Sequence, residues 1–253
     1  MTQRRRGRAR PPRRAEPRRP ARDEARNAAF DLLRAVRERD AYANLLLPRM
    51  LRERGVTGRD AALATELGYG TLRGLLTYDR IIAACSDRAP ERLDPPLLDA
   101  LRLGVHQLLA TRIPPHAAVS ATVALVRRRV GEGPSRYANA VLRRVALRSL
   151  EEWLPIVAPP PEEDLVGHLA VTYSHPRWIV TALLDAYAAV RSARAAGGAD
   201  TPWLVLSGAR GWDETAIARL DALQPTDHVI EAGYLPLEDL AGFQPSYILS
   251  VPR

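Results

Sequence analysis

The amino-acid sequence predicts a mainly α-helical protein, with a short α/β stretch near its C-terminal end. Apolar residues recur every three or four positions through most of residues 22–150, which is the spacing of a helix face buried in a core. Hydrophobic residues make up 46% of the 253 residues, enough to build such a core. Nothing between residues 22 and 150 alternates with a period of two. We therefore expect an all-α helical bundle there, with short connections.

The N-terminal segment, residues 1–21, has a different composition. It consists mainly of arginine, proline and alanine, without periodicity, and its first twenty residues carry a net charge of +8. Charges that repel one another, together with prolines, prevent a packed core. We expect residues 1–21 to be a disordered arm.

Six helices are predicted between residues 22 and 150. The first begins at Arg22, and the fourth opens at Asp94 and breaks at Ile113. The others cover about 43–54, 59–84, 117–130 and 135–150. The third predicted helix contains three glycines, which would let a neighbouring helix approach closely: Gly68, Gly70 and Gly74.

The pattern changes beyond residue 150. A stiff, proline-rich linker is predicted at 155–161, followed by helices at about 162–172 and 177–190 and a flexible break at 191–202. Short strands are then predicted at 203–206, 228–230 and 247–251, separated by helices at 213–223 and 237–243. This rhythm resembles part of a doubly wound sheet. The predicted division is 1–21, 22–150, 151–190 and 191–253.

The charge distribution predicts a polyanionic partner for the first part of the chain. All 37 basic residues are arginine, and net charges of +8 at residues 1–20 and +8 at 21–150 precede −8 at 151–253. Arginine pairs phosphate bidentately and stacks on bases. Codon bias in a GC-rich genome would explain the missing lysine, but it would not explain the change of sign.

Several classes of protein are excluded by the composition. No apolar run is long enough to span a bilayer and no secretory signal is recognisable, so we expect a cytoplasmic protein without a membrane partner. A single cysteine, Cys85, excludes an internal disulfide and a multi-cysteine metal site. No histidine or carboxylate pair has convincing metal-ligand spacing.

Five strings carry a resemblance to one family. They are RDAALATELGYGTLR at 59–73, LRLGVHQLL at 101–109, IPPHAAV at 113–119, NAVLRR at 139–144 and YSHPRW at 173–178. Together they resemble the N-terminal region of the bacterial ribosomal RNA cytosine-C5 methyltransferases called RsmB, Sun or Fmu, a region similar to the antitermination factor NusB. The resemblance covers about residues 22–185 and implies an all-α fold that binds RNA. We expect the target to be ribosomal RNA or a short single-stranded or looped RNA.

The resemblance does not extend to the family's catalytic machinery. The family adds a thiolate to cytosine C6 and uses a second cysteine to release the product, whereas this sequence has no cysteine after Cys85 and no glycine-rich methyl-donor loop. We therefore expect no catalysis by this chain. No cofactor is expected, and S-adenosylmethionine would be needed only if a catalytic domain were supplied elsewhere.

Three other functions stay open. The chain could be a methyltransferase-family member that is truncated or acts with a catalytic domain in trans. It could be an antitermination-type module. It could also be a fusion with a glycosyltransferase remnant, because residues 203–243 resemble the C-terminal half of the group 1 glycosyltransferases.

The predicted RNA-binding residues are mainly arginines. Arg73 could instead be structural, as could Arg102, through pairing with Glu66 or Asp99. A capping or packing role is expected for His116, and a loop position for His175. The candidate stacking aromatics are Tyr69, Tyr78 and Tyr137. The predicted RNA-binding set is Arg4, Arg5, Arg6, Arg8, Arg10, Arg13, Arg14, Arg18, Arg19, Arg73, Arg127, Arg128, Arg136, Asn139, Arg143 and Arg144. The sequence leaves the oligomeric state open.

Overall fold

The computed structural model describes residues 21–185, 204–207, 229–232 and 248–249. The predicted arm up to residue 20 lies outside the described residues, as do the predicted helices at 213–223 and 237–243. Residues 177–185 are also helical. The named helices are α1 (Ala21–Arg39), α2 (Ala43–Glu53), α3 (Gly58–Arg73), α4 (Leu75–Cys85), α5 (Pro95–Leu109), α6 (Pro115–Arg129), α7 (Glu132–Val145), α8 (Leu150–Val157) and α9 (Leu165–Tyr173).

The bundle has one large core shared by most of these helices, so the predicted all-α fold of this region is confirmed. Its fully buried side chains include Phe30 of α1, Leu101 of α5 and Leu142 of α7. A smaller cluster joins α1, α2 and α3 around Leu32 and Leu47. Each such side chain contributes about 1.5–3 kcal/mol through burial, which makes the apolar stripes the main source of stability.

One predicted helix is two helices in the structure. The apolar periodicity predicted a single helix at 59–84, but α3 ends at Arg73 and α4 begins at Leu75. Gly74 lies at the junction, where a Cβ would stand only 2.3 Å from the ring of Tyr78. The break therefore needs glycine because the aromatic ring occupies the space of a side chain.

A distant hydroxyl group satisfies the start of α4. The first amides of a helix have no partner within the helix. The Ser174 hydroxyl, beyond α9, accepts hydrogen bonds from the amides of Leu76 at 3.0 Å and Thr77 at 3.4 Å. The Thr77 hydroxyl donates in turn to the carbonyl of Val171 at 2.5 Å. These contacts attach the segment after residue 165 to the bundle.

The linker predicted at 155–161 begins inside a helix. Residues 155–157 belong to α8, which packs on the large core through Trp153. The Trp153 indole donates to the carbonyl of Val145 at 3.0 Å. Ser149 and Glu152 form a capping box at the start of α8. The expectation of a linker was therefore wrong for residues 155–157, which belong to a helix started by the capping box and held by the buried indole, whereas residues 158–161 do connect α8 to α9.

A buried polar pair lies beneath α3. The Tyr78 hydroxyl is 2.9 Å from His106 Nδ1, and both side chains are almost fully buried. The ring of His106 occupies the space that a Cβ at Gly70 would need, at 2.3 Å. The expectation that a glycine of α3 lets a neighbouring helix approach closely is confirmed at Gly70, which faces α5. Burial lowers the pKa of His106 to about 4, so the ring is neutral at physiological pH.

Helices α6 and α7 form an antiparallel hairpin that carries the candidate site. The connection is short and turns at Gly131, whose φ of 144° favours glycine. The amides of Val130 and Gly131 both donate to the carbonyl of Val126 and close the end of α6. This tight turn holds the two helices side by side along their length.

The described C-terminal residues form a three-stranded parallel sheet. Its strands are β1 (Leu204–Ser207), β2 (Val229–Ala232) and β3 (Ile248–Leu249), in the order β2-β1-β3. Leu204 pairs with Val229 and Val205 with Ile248. The three predicted strands are therefore confirmed, and parallel pairing around a central first strand agrees with the predicted α/β character.

Candidate nucleic-acid interface

A groove of about 580 Å³ runs between α6 and α7. Three residues of the predicted RNA-binding set line it together: Arg127 from α6, and Asn139 and Arg143 from α7. We call it the α6–α7 groove. Its volume lies within the range of small-molecule sites.

Helix periodicity explains why these residues share one face. His116, Ser120 and Ala124 are four residues apart on α6, and Asn139 and Arg143 are four apart on α7. Residues at this spacing lie one above the other on a helix surface. Because the hairpin is antiparallel, the end of α7 lies beside the start of α6, so Arg127 and Arg143 stand towards opposite ends of the groove.

The groove has an apolar floor and a polar rim. Val119, Val123 and Ala146 are half-buried along it, as is Ala124. The polar residues His116, Ser120, Arg127 and Arg143 are exposed around it, together with the apolar Leu147. Such a surface can contact a flat apolar group below and an anion above.

The rim is positively charged. In the part of the chain that the structure describes, no carboxylate lines the groove. Glu132 lies just beyond it and pairs with Arg127 at 2.6 Å. Arginines in the last turn of α6 also complement the helix dipole, so part of their role is structural. The arginines that line the groove nevertheless leave its field attractive to phosphate.

Other predicted RNA-binding residues lie outside the groove. Arg128 and Arg136 are exposed near the α6–α7 turn, and Arg136 stands 3.9 Å from Glu132. Arg144 donates to the carbonyl of Cys85 at 3.1 Å, on the α4 side of α7. Arg73 is exposed at the end of α3. Their RNA contacts stay predictions, and the nine arm arginines, Arg4 to Arg19, lie outside the described residues.

The structure separates the three candidate aromatics. Tyr78 is a core residue, 2% exposed, so the expectation that it could stack on a base was wrong. Tyr69 is half-buried, with its hydroxyl 3.4 Å from the carbonyl of Ala43. Tyr137 is half-buried, bonded to Ser86 at 2.5 Å, with the Arg88 guanidinium 5.6 Å above its ring. None of the three lines the described groove.

The expected structural arginine is confirmed at Arg102. Its guanidinium binds both carboxylate oxygens of Asp79, at 2.7 and 2.6 Å, and lies 3.5 Å from Asp99. Sequence reasoning named Asp99 and missed the closer partner, which sits one helix away on α4.

The groove also contains residues that sequence reasoning did not assign to a site. His116 was expected to cap or pack, and Ser120, Val123 and Leu147 were not singled out. Their spacing of three and four residues is the signal that could have found them. Half-exposed apolar residues at that spacing are indistinguishable from core residues until the neighbouring helix is placed.

Cys85 has the expected character of a small buried hydrophobe. It is 2% exposed, and burial raises the pKa of its thiol to about 11. A thiol with this pKa is protonated at neutral pH and is a poor nucleophile.

Metal-binding clusters and membrane-spanning helices are absent from the described residues. No group of three or more histidine, cysteine, aspartate or glutamate side chains there could hold a metal ion. None of the described helices is long and apolar enough to cross a membrane.

Known proteins resemble the helical part of the chain. A protein from Mycobacterium tuberculosis named as a methyltransferase is 49% identical over 178 residues, which are 70% of this chain and 39% of that protein. Ribosomal RNA small subunit methyltransferase B from Thermus thermophilus is 41% identical over 48% of this chain and 30% of its own length. The enzyme of the same name from Pseudomonas putida is 34% identical over 62% of this chain and 34% of its own length. The chain thus spans 30–39% of the length of these relatives.

Solved NusB structures were also found. NusB from T. maritima is 23% identical and matches 51% of this chain and 92% of its own, with a TM-score of 0.47. A complex of the antitermination factors NusB and NusE with double-stranded RNA contains a chain that is 26% identical. It matches 50% of this chain and 96% of its own length, with a TM-score of 0.46.

The NusB family itself matches residues 23–147, the stretch from the first turn of α1 to just beyond α7. The α6–α7 hairpin lies wholly inside that match. The predicted resemblance is confirmed: the chain carries a NusB-family domain at residues 23–147.

Proposed function

We propose that this chain binds RNA through the α6–α7 face of its NusB-family domain, and that the target is ribosomal RNA. The observation that carries the proposal is the groove between the two helices, which brings Arg127, Asn139 and Arg143 together on a face without a lining carboxylate. Guanidinium groups pair with phosphate oxygens, and amide side chains hydrogen-bond to base edges.

The relatives support the choice of ribosomal RNA. Two of them are named as enzymes that methylate small-subunit ribosomal RNA, and they match this chain over its helical domain. A domain shared by proteins with one substrate class is a reasonable place for the contact with that substrate. The net positive charge of residues 21–150 points the same way.

The arginines and the amide have different roles in this proposal. Phosphate contacts fix the position of an RNA, whereas contacts with bases distinguish sequences. Arg127 and Arg143 would hold the backbone, and Asn139 would contact a base. Loss of the arginines should therefore weaken binding to every RNA.

The test is a binding measurement on the full chain. Arg127→Ala with Arg143→Ala should reduce affinity for a small-subunit ribosomal RNA fragment by roughly ten-fold or more. It should also flatten the dependence of log affinity on log salt by about 1.4, on the rule of about 0.7 per single-strand phosphate.

The matched control removes the same charge elsewhere. Arg52 and Arg59 are exposed arginines on α2 and α3, away from the groove. Arg52→Ala with Arg59→Ala should change affinity much less than the groove pair. Equal losses in the two double variants would show that overall charge, not this face, binds RNA.

We also propose that residues of this chain do not themselves carry out methyl transfer. The support is the chemistry of its single cysteine, because the Cys85 thiol is buried and its pKa is raised to about 11. Incubation of the purified chain with labelled S-adenosylmethionine and unmodified ribosomal RNA should leave the RNA unlabelled. Label incorporated into cytosine would overturn this second proposal and leave RNA binding intact.

A further inference from the structure

The α6–α7 groove is more than a patch of positive charge. Phosphate groups need donors and an attractive field, and exposed arginines supply both without any apolar surface. Yet Val119, Val123, Ala124 and Ala146 lie half-buried along the space between the two helices. An apolar floor of this kind suits the face of an aromatic base.

Asn139 adds a group that can recognise the edge of a base. Its side chain is half-buried within the groove, one helical turn from Arg143. An amide offers both an acceptor and donors, so it can pair with the polar edge of a base. Its side chain makes no hydrogen bond to another described residue, which leaves the amide available to a ligand.

Both ends of the groove are placed to hold the backbone. Arg127 stands near the turn that joins the helices, and Arg143 stands near the end of α7, with Asn139 between them along the hairpin. A nucleotide lying with its base at Asn139 would therefore have an arginine on either side for its flanking phosphates. No carboxylate in the described lining of the groove opposes this arrangement.

We propose that the α6–α7 groove holds one unpaired nucleotide of an RNA loop or single strand, with its base on the apolar floor against Asn139. This inference rests on the proposed function and narrows it to unpaired RNA. A base inside a duplex is paired and stacked, and it cannot enter the groove without being extruded. The groove should accordingly favour unpaired RNA over a duplex of equal charge.

The experiment compares two RNAs with the same number of phosphates. One is a hairpin with 2-aminopurine at an unpaired loop position, and the other is a blunt duplex. The full chain should bind the hairpin about ten-fold more tightly, as expected when one face of a base is buried on an apolar surface. The fluorescence of the 2-aminopurine should change on binding because the base leaves solvent.

Two variants test the groove separately from the charge. Ser120→Phe would place a ring in the groove from an exposed position and would leave both arginines in place. It should abolish the preference for the hairpin while the salt dependence stays the same. Asn139→Ala should reduce the preference several-fold, whereas Asn44→Ala, an exposed asparagine on α2, should not.

The outcomes separate this inference from the proposed function. If the full chain binds both RNAs equally, or if Ser120→Phe and Asn139→Ala both keep the preference, the groove does not hold a base and RNA binding through phosphates still stands. If the chain binds neither RNA, or if binding ignores Arg127 and Arg143, the proposed function itself fails.

Discussion

At the scale of single residues, Glu132 limits how strongly Arg127 can attract an anion. Its carboxylate pairs with Arg127 at 2.6 Å and lies 3.9 Å from Arg136. Exposed ion pairs of this kind are worth at most about 1 kcal/mol, so an RNA phosphate can compete for the arginine. The charge at Glu132 should therefore weaken RNA binding without preventing it.

We predict that Glu132→Gln strengthens RNA binding by roughly two- to five-fold at low salt. The substitution frees Arg127 and removes one negative charge near the groove, and added salt should shrink the gain by screening. Titration with a ribosomal RNA fragment at two salt concentrations measures it. Glu53→Gln, which frees the exposed Arg49 on α2, is the control and should gain less. An equal gain in both variants would count against the groove.

The lowered pKa of His106 leads to a prediction about the stability of the fold rather than about RNA binding. The ring is 3% exposed, and burial lowers the pKa of His106 to about 4, below the ordinary value near 6.5. Between these two values the unfolded chain binds a proton that the folded chain does not. The free energy of unfolding therefore falls as pH drops from about 6.5 to about 4, by up to roughly 3 kcal/mol from this group.

We expect His106→Gln to be less stable than the parent at pH 7 and to show a flatter decline below pH 6.5. Urea denaturation at several pH values measures both quantities. The parent and variant curves should converge towards pH 4. Parallel curves would mean that the decline comes from other groups, such as His175, whose pKa is also lowered by burial.

At the scale of elements, the YSHPRW string at 173–178 attaches α9 to the bundle through hydrogen bonds. Ser174 accepts from two amides at the start of α4, and Arg177 binds Asp164, the residue that caps α9. Asp164 in turn accepts from the amide of Gly167 at 2.8 Å. The string therefore holds two helix starts that are far apart in sequence.

Removal of the Ser174 hydroxyl should loosen the start of α4. We predict that Ser174→Ala lowers the free energy of unfolding by about 1 kcal/mol, the usual cost of a lost helix cap. Hydrogen exchange should accelerate at the amides of Leu76 and Thr77. Ser149→Ala is the control because it removes a cap of similar strength from α8 and should leave those two amides protected. An unchanged rate of hydrogen exchange at Leu76 in Ser174→Ala would show that Ser174 does not hold the start of α4.

The helix pattern was predictable where it depended on local spacing and was not where it depended on distant contacts. The apolar stripe of α1 and the proline start of α5 are local signals, and both helices are present. The break at Gly74 depends on the Tyr78 ring and on Ser174, which is about a hundred residues away. The apolar floor of the groove depends on where α7 lies against α6, which no local pattern contains.

At the scale of the whole molecule, the chain divides into a positively charged part and a negatively charged part. Residues 1–150 carry an excess of arginine, and residues 151–253 carry a net charge of −8. A polyanion should therefore be drawn to the NusB-family domain and its preceding arm and be repelled by the rest. The arm and the bundle can contribute to RNA binding in different ways, since phosphate contacts position an RNA whereas base contacts distinguish one sequence from another.

The prediction for the arm is that it adds affinity without adding selectivity. If its nine arginines engage roughly four phosphates at once, deletion of residues 1–20 should flatten the salt dependence by about 3, at about 0.7 per phosphate on a single strand. The preference for a ribosomal RNA fragment over a scrambled one should survive, because the groove is intact in the shortened chain. Salt-dependent binding of both RNAs to the two chains measures this. A slope that stays the same after the deletion would show that the arm does not contact RNA, and codon bias would then suffice to explain its arginines.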